Sequence, residues 1–246
     1  MPDAPSGPDA LLKGKRALIT GASSGIGAEM TRRLLGHGTR VALVGRSVER
    51  LRPVAAGAPE GATMLLACDV RDDATVRATV AKVEREWGGV DLLINSAGVF
   101  KVVRLQEMTN EDWDELWQIN VNGTVYATRA VLPGMLERGD GIIMTLSSIA
   151  AHRAFSHTTG YAASKHAITG FARALSTEVR RKGVKVVNAF IGPVDTPIWD
   201  GLETPLEREE MLTVQEVGNA LINAITISPR QVLEDVLILP QRGIYY

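Results

Sequence analysis

Short apolar runs alternate along this chain with longer stretches in which apolar residues return every three or four positions. Arg16–Thr20, Arg40–Val44, Met64–Ala67, Leu92–Ile94, Ile142–Leu146, Val184–Phe190 and Val236–Leu239 read as strands. Most are apolar throughout rather than alternating, the pattern of parallel strands covered on both faces. Between them, Ile26–Leu35, Ala74–Trp87, Trp113–Leu136 and Ala162–Arg181 carry helical periodicity. Thr213 with Glu216 forms a capping box that opens a further helix through about Thr226. Strands that alternate with helices predict right-handed βαβ units, hence an α/β fold with one doubly wound parallel sheet flanked by helices. Ligands of such sheets bind beyond the carboxyl ends of the strands, where the strand order reverses. Residues that follow strands are therefore the first candidates for function.

Length and composition narrow the picture. The 246 residues suffice for one large domain. Residues 1–12 are expected as a flexible tail, since Met1–Asp9 is rich in Pro, Asp and Gly, and residues 13–246 as the single domain. No internal repeat or linker interrupts it. The formal net charge of −1 gives no electrostatic case for nucleic acid or an anionic membrane. No apolar run approaches the ~20 residues that span a bilayer. The start of the chain lacks the basic-then-apolar order of a secretory signal. Cys68 is the one cysteine, so an intrachain disulfide is impossible, which fits a reducing cytoplasm. Cys68 itself reads as a small core residue.

Candidate cofactor chemistry lies after the early strands. The first strand ends in Thr20-Gly21-Ala22-Ser23-Ser24-Gly25-Ile26-Gly27, and a helix follows at once. Glycines there permit a tight turn and close approach of backbone to a pyrophosphate, which the helix N-terminus attracts. The spacing is Gly-x-x-x-Gly-x-Gly. After the second strand come Gly45 and Arg46, with no carboxylate until Glu49. A carboxylate at this place accepts from the ribose 2′-hydroxyl of NAD, whereas a cation pairs with the 2′-phosphate of NADP. Arg46 thus favours NADP(H), with NAD(H) possible if Arg46 only finishes a surface turn. Cys68-Asp69-Val70 closes the third strand; Asp69 either accepts from an adenine amino group or caps the next helix. Asn95-Ser96-Ala97-Gly98 closes the fourth, where small residues let a flat ring or ribose lie against the backbone.

Hydride reduction of a ketone leaves an alkoxide that must be protonated, so a protein that does this supplies an acid/base and a donor for the oxygen. Tyr161 and Lys165 stand at i and i+4 on a helix and share a face. An ammonium beside a phenol favours the phenolate, which would draw the Tyr161 pKa down from ~10. The fifth strand ends in Ser147-Ser148, thirteen residues before Tyr161 in the case of Ser148. Ser148 is the preferred donor to the substrate oxygen, with Ser147 the competitor. Asn120, inside a long apolar-periodic helix, is either a satisfied core amide or a functional one.

Together these motifs resemble the classical short-chain dehydrogenase/reductase family, from Lys15 to about Val236. The resemblance rests on Thr20-Gly21-x-x-x-Gly25-x-Gly27, Asp69, Asn95-x-Ala97-Gly98, Asn120, Ser148, Tyr161-x-x-x-Lys165 and Gly192-x-Val194-x-Thr196, all in family order. It implies a single-domain Rossmann fold with a seven-stranded parallel sheet. It also implies a tetrad: Tyr161 as acid/base, Ser148 polarising the carbonyl, Lys165 lowering the tyrosine pKa and binding ribose, and Asn120 supporting a relay water through its backbone. The nicotinamide carboxamide would meet the loop holding Gly192, Val194 and Thr196. Three departures stand out. Ser96 replaces the usual second Asn, Ile191 replaces the usual Pro, and the chain ends Leu239-Pro240-Gln241-Arg242-Gly243-Ile244-Tyr245-Tyr246 rather than in a glycine-rich strand. The last departure argues against a 3-oxoacyl substrate.

A short substrate lid is expected near 197–213, carrying Trp199, Leu202, Leu206 and Met211 among Glu203, Glu207, Glu209 and Glu210. His152 and Arg153 could meet a charged substrate group, or simply belong to a solvated loop with Phe155 and His157. No histidine cluster has metal-ligand spacing. The expected function is NADP(H)-dependent reduction of a small ketone or aldehyde. The alternatives are an NAD-linked alcohol or sugar dehydrogenase and a non-catalytic NADP(H)-sensing module. The family implies a homodimer or homotetramer, with Trp113 and Trp117 as core or subunit-contact residues.

Overall fold

A computed structural model describes residues 7–153, 155–202 and 207–243. In chain order its main elements are α1 (Pro8–Leu12), β1 (Arg16–Thr20), α2 (Gly25–Gly36), β2 (Arg40–Gly45), α3 (Val48–Ala55), β3 (Thr63–Ala67), α4 (Asp73–Trp87) and β4 (Leu92–Asn95). They continue with α5 (Asn110–Leu116), α6 (Gly123–Arg138), β5 (Gly141–Leu146), α7 (Thr159–Val179), β6 (Val184–Ile191), α8 (Val214–Ile225) and β7 (Asp235–Ile238). The seven strands form one parallel sheet in the order β3-β2-β1-β4-β5-β6-β7. The order reverses beside β1, so the crevice lies between the β1 and β4 ends, as the α/β rule requires.

The apolar runs are buried because both faces are covered. One layer joins Met30 and Leu34 of α2, Leu51 and Val54 of α3, and Val217 and Leu221 of α8 to the sheet. The other joins Val76 and Val80 of α4, Val131 and Met135 of α6, and Ala172 and Leu175 of α7 to the opposite face. Every strand foreseen from the apolar runs forms, with ends displaced by at most one residue. The capping box at Thr213 also forms: the Glu216 N–H donates to Thr213 Oγ1 at 3.2 Å and the Thr213 N–H to Glu216 Oε2 at 2.8 Å.

Three expectations change. Residues 8–12 of the expected tail form α1, which the buried Leu12 anchors in the core. α3 was not foreseen; it spans eight residues and contains Pro53, too short a stretch to show periodicity. The helix expected over Trp113–Leu136 forms as one run, but with a π-helical turn at Trp117–Asn122 that separates α5 from α6. α5 opens with a second capping box, Thr109 with Asp112. Part of the expected lid, residues 203–206, lies outside the described residues, as do residues 1–6 and 244–246.

Candidate functional site

The glycine turn follows β1 and is tied to the end of β4. Thr20 Oγ1 accepts from the Ser96 and Ala97 N–H groups, both at 3.2 Å. Gly21 has φ +67°, and a Cβ there would lie 2.7 Å from the Ala97 Cα, so two backbones meet with no room for a side chain. A Cβ on Gly27 would collide with the Gly21 carbonyl oxygen. Two of the three turn glycines therefore serve the turn's own packing as well as any ligand. Ser23, Ser24, Gly25 and Ile26 are half-buried along the turn. Ser24 is the N-cap of α2, yet its side chain caps nothing, leaving the first-turn N–H groups of α2 to another acceptor. Gly25 faces the loop after β6: a Cβ there would stand 3.3 Å from Thr196 Cγ2.

At the far side of the crevice, Arg46 is exposed just beyond β2. Asp69 follows β3 but does not cap α4; Asp72 does, accepting from the Ala74 and Thr75 N–H groups at 2.9 and 3.3 Å. Asp69 instead accepts from the Arg71 guanidinium, with Nη2 to Oδ2 at 2.6 Å and Nε to Oδ1 at 3.0 Å. That hydrogen bonding, more than the nearby charge of Arg46, holds the Asp69 carboxyl below the usual range. Glu49, the next acid after β2, accepts from Ser47 Oγ at 2.7 Å. Val70 is buried under α6, where a Cβ on Gly123 would lie 2.8 Å from its Cγ2.

The chemical end is built from β4, β5, the π-helical turn and α7. Asn120 sits inside the π turn, 1% exposed. Its Oδ1 accepts from the Val99 N–H at 2.9 Å, and its Nδ2 donates to the Val99 carbonyl and to Ser164 Oγ, both at 3.0 Å. Ser164 Oγ in turn donates to the Tyr161 carbonyl at 2.7 Å. The amide thus clamps the loop after β4 onto the helix that carries Tyr161. Its main-chain carbonyl, the group expected to hold a relay water, accepts from Thr124 Oγ1 at 2.9 Å.

Ser147 and Ser148 part ways after β5. Ser147 Oγ turns into α7, 3.0 Å from Thr169 Oγ1 and 3.5 Å from the Lys165 carbonyl. Ser148 lies near enough to the Tyr161 phenol to lower its pKa, and accepts from the Ala150 N–H at 3.1 Å. Of the two serines, only Ser148 lies beside the Tyr161 phenol, while Ser147 is engaged with α7. Lys165 Nζ stands 5.6 Å from the Tyr161 ring centroid and donates to the Leu146 carbonyl at 2.9 Å. Gly98 stands opposite: a Cβ on it would lie 3.3 Å from Asn120 Oδ1 and 3.9 Å from Lys165 Nζ.

The electrostatics differ from the simple expectation. Burial pushes the Tyr161 phenol up to about 12, against the lowering effect of Ser148. Burial also pushes Lys165 down to about 8. Desolvation is the largest cause of both shifts, and the Lys165 ammonium gives its hydrogen bond to the Leu146 carbonyl.

An aromatic wall that the sequence did not reveal borders Tyr161. The Phe100 ring meets Tyr161 edge-on at 4.6 Å and Trp199 at 5.1 Å. Phe100 stands two residues past Gly98, and that position was its one sequence signal. The loop after β6 holds Gly192, whose N–H donates to the Ile238 carbonyl at 2.9 Å, then buried Val194 and half-buried Thr196. Ile191 completes β6 in register with Ile238. Arg208 ties together the loop after β6, reaching Asp195 Oδ1 at 2.6 Å, the Thr196 carbonyl at 3.0 Å and Asp200 Oδ1 at 3.0 Å. His152 is exposed, with its ring edge-on to Phe190 at 4.0 Å, and Arg153 is also exposed. The described residues hold no cluster of metal-ligating side chains. Among them no helix is long and apolar enough to cross a membrane.

Comparison with known proteins agrees with this geometry. A family model described as short chain dehydrogenase matches residues 15–206. A D-threitol dehydrogenase of Mycolicibacterium smegmatis is 39% identical over 199 residues, covering 78% of this chain and 76% of that protein. Among solved structures, a 3-ketoacyl-(acyl-carrier-protein) reductase of Brucella melitensis complexed with NADH superposes with a TM-score of 0.87. It is 27% identical, with 95% of this chain and 100% of that one covered. An alcohol dehydrogenase of the archaeon Thermococcus sibiricus complexed with 5-hydroxy-NADP gives a TM-score of 0.86 at 26% identity, covering 95% and 100%.

Proposed function

Because the chain belongs to the short-chain dehydrogenase family, whose members are oxidoreductases of alcohol and carbonyl groups, we propose that it is an NADP(H)-dependent reductase of a small ketone or aldehyde. The observation that carries this reading is the meeting of Ser148 with the Tyr161 phenol, with the Lys165 ammonium 5.6 Å from the same ring.

The residues present fit a nicotinamide dinucleotide. The uncapped first turn of α2, at Gly25, Ile26 and Gly27, suits a pyrophosphate. Lys165 is buried and gives one of its three N–H donors to Leu146, which leaves donors for a ribose diol. Asn95, Ala97 and Gly98 would border that ribose, and Gly192, Val194 and Thr196 the carboxamide. Asp69 and Val70 would border the adenine. When bound, the cofactor supplies the hydride. The rest falls to the chain's own side chains. Ser148 donates to the substrate oxygen without adding charge. Tyr161, protonated up to about pH 12, gives its phenolic proton to that oxygen as negative charge develops on it. Asn120 is a positioning residue: it fixes the loop holding Gly98 against the helix holding Tyr161.

The preference for NADP(H) is supported by the adenine end. Arg46 is exposed there, Glu49 is turned to Ser47, and the charge of Asp69 is matched by Arg71. A 2′-phosphate would meet cations rather than a free carboxylate. An oxidative role on a polyol has its own support, the likeness to D-threitol dehydrogenase. We further propose a cytoplasmic homodimer or homotetramer, in keeping with the lone buried Cys68 and the half-exposed Trp113.

One experiment separates these readings. Small ketones, aldehydes and polyols are assayed with NADPH and NADH in parallel. Turnover of carbonyls with NADPH at the higher kcat/KM supports the proposal. Polyol oxidation with NAD at the higher kcat/KM replaces it, and tight NADPH binding with no turnover across the panel assigns a sensing module instead.

A further inference from the structure

Five strands carry a polar residue at one level of the sheet: Thr20, Asn95, Thr145, Asn188 and Asp235. Register pairs each with the next, Thr20 with Asn95, Asn95 with Thr145, Thr145 with Asn188 and Asn188 with Asp235. Residues in register on parallel strands project from the same face. Here that face is the one covered by α4, α6 and α7, because Leu18, Leu93, Ile143 and Val186, two positions earlier on their strands, belong to its apolar layer. A polar stripe therefore crosses an otherwise apolar face.

The two ends of the stripe are satisfied within the protein. Thr20 Oγ1 accepts two backbone N–H groups, and Asp235 accepts from Arg173 at 2.8 Å. The middle is different. Asn95 Oδ1, Thr145 Oγ1 and Asn188 Oδ1 are buried and have no hydrogen-bond partner among the described residues. The three residues are 3%, 0% and 2% exposed. Natural interiors seldom leave even one such atom unpaired. Three on consecutive strands at one level point to a shared partner.

The donor and acceptor balance identifies its chemistry. Asn188 Nδ2 donates to Asp235 Oδ1 at 3.4 Å, which fixes that amide, so the atom left over is an acceptor. Asn95 Nδ2 donates to Thr128 Oγ1 at 3.1 Å, leaving its oxygen as a second acceptor. Thr145 offers one hydroxyl that can donate. The missing partner must donate twice, accept at least once, carry no charge and fit between neighbouring strands. An anion cannot donate, and three neutral oxygens do not offset the desolvation of a cation. We propose that this stripe binds buried water, held by Asn95, Thr145 and Asn188. About three hydrogen bonds to otherwise unsatisfied groups is the usual environment of an interior water. The site fastens β4, β5 and β6 to one another. Within four residues of it the chain reaches Ala97, Ser148 and Gly192. The proposal stands independently of the activity proposed above.

A crystal structure of the full chain, at a resolution that shows ordered water, tests it directly. Density about 2.7–3.2 Å from the Asn95, Thr145 and Asn188 side-chain oxygens is expected. Thr145→Val keeps the branched shape and removes the hydroxyl. It is expected to lose that density and to lower Tm by about 3–6 °C, while Thr145→Ser retains both. Absence of the density in the wild type overturns the proposal. So does density that persists in Thr145→Val with unchanged Tm. If Thr145→Val does not fold, the density in the wild type and Thr145→Ser decides alone.

Discussion

The carboxyl edge of the sheet has two ends made of opposite materials. Around Tyr161 the polar groups are sunk in the protein: Asn120, Lys165 and Ser148 are 1%, 7% and 8% exposed, and backbone or side-chain hydrogen bonds hold each. Around Asp69 the groups are charged, exposed and held by ion pairs, with Arg71 on the carboxylate and Arg46 nearby. Burial makes proton affinity adjustable, because desolvation acts on whichever form is charged. Exposure makes charge a selector that water and salt can reach. One end is thus suited to chemistry and the other to choosing a ligand.

The sharpest way to break this division is Tyr161→Phe. Turnover should fall by about 10²–10⁴-fold, while NADPH binding, measured by fluorescence titration, stays within about twofold. Wild-type turnover in that variant would remove the buried end's claim to chemistry. Next in size is the cost of burying Lys165. Its pKa is pushed down to about 8 from 10.5, so between those values the unfolded chain holds more protons than the native one. Stability should therefore rise with pH across that window. Tyr161, raised from 10.0 to about 12, acts in the opposite sense, and stability should fall as pH climbs from 10 towards 12. Lys165→Met should abolish activity, flatten the rise above pH 8, and stabilise the protein at pH 7 by roughly 3 kcal/mol. Urea unfolding at pH 7, 9 and 10 measures it; a variant no more stable than wild type would mean that burial costs Lys165 nothing.

The exposed end should respond more gently and to different levers. Arg46→Ala is expected to weaken NADPH binding about 10-fold through loss of a charge-assisted contact, with NADH binding almost unchanged. An equal loss for both cofactors would show that Arg46 does not read the 2′-position. The smallest effect is that of salt. Raising ionic strength should weaken NADPH more than NADH in the wild type, by a few-fold, and this difference should shrink in Arg46→Ala.

The same division governs what could be seen in the sequence. The strands were legible because a parallel strand buried on both faces leaves an unbroken apolar run, as in Val184–Ile191. Tyr161, Lys165 and Ser148 were legible because fixed spacing on a helix and after a strand constrains them. The fate of Asp69 was not, since Arg71 captures it through a turn that no periodicity encodes. Phe100 and Arg208 also escaped notice: they act across loops, where contacts depend on how separate elements converge. The direction of the Tyr161 shift could not be judged either, because i and i+4 spacing says which residues are neighbours but not how dry their surroundings are.

The π-helical turn at Trp117–Asn122 has a consequence for rotational phase. Each residue turns an α-helix by about 100°, and a π turn accommodates one extra residue without breaking the run. The apolar pattern after it, including the α6 side chains Val131 and Met135 that line the core, is therefore offset by one residue in sequence from that of α5 while the helix stays in phase. Deleting one residue from this turn would restore a regular helix with α6 still in phase, whereas deleting one from α6 itself would turn the residues beyond it by about 100° and carry their buried face away from the sheet. Substitutions across the turn are a matter of chemistry; a change of length beyond it is a matter of gearing, and reaches the rest of α6.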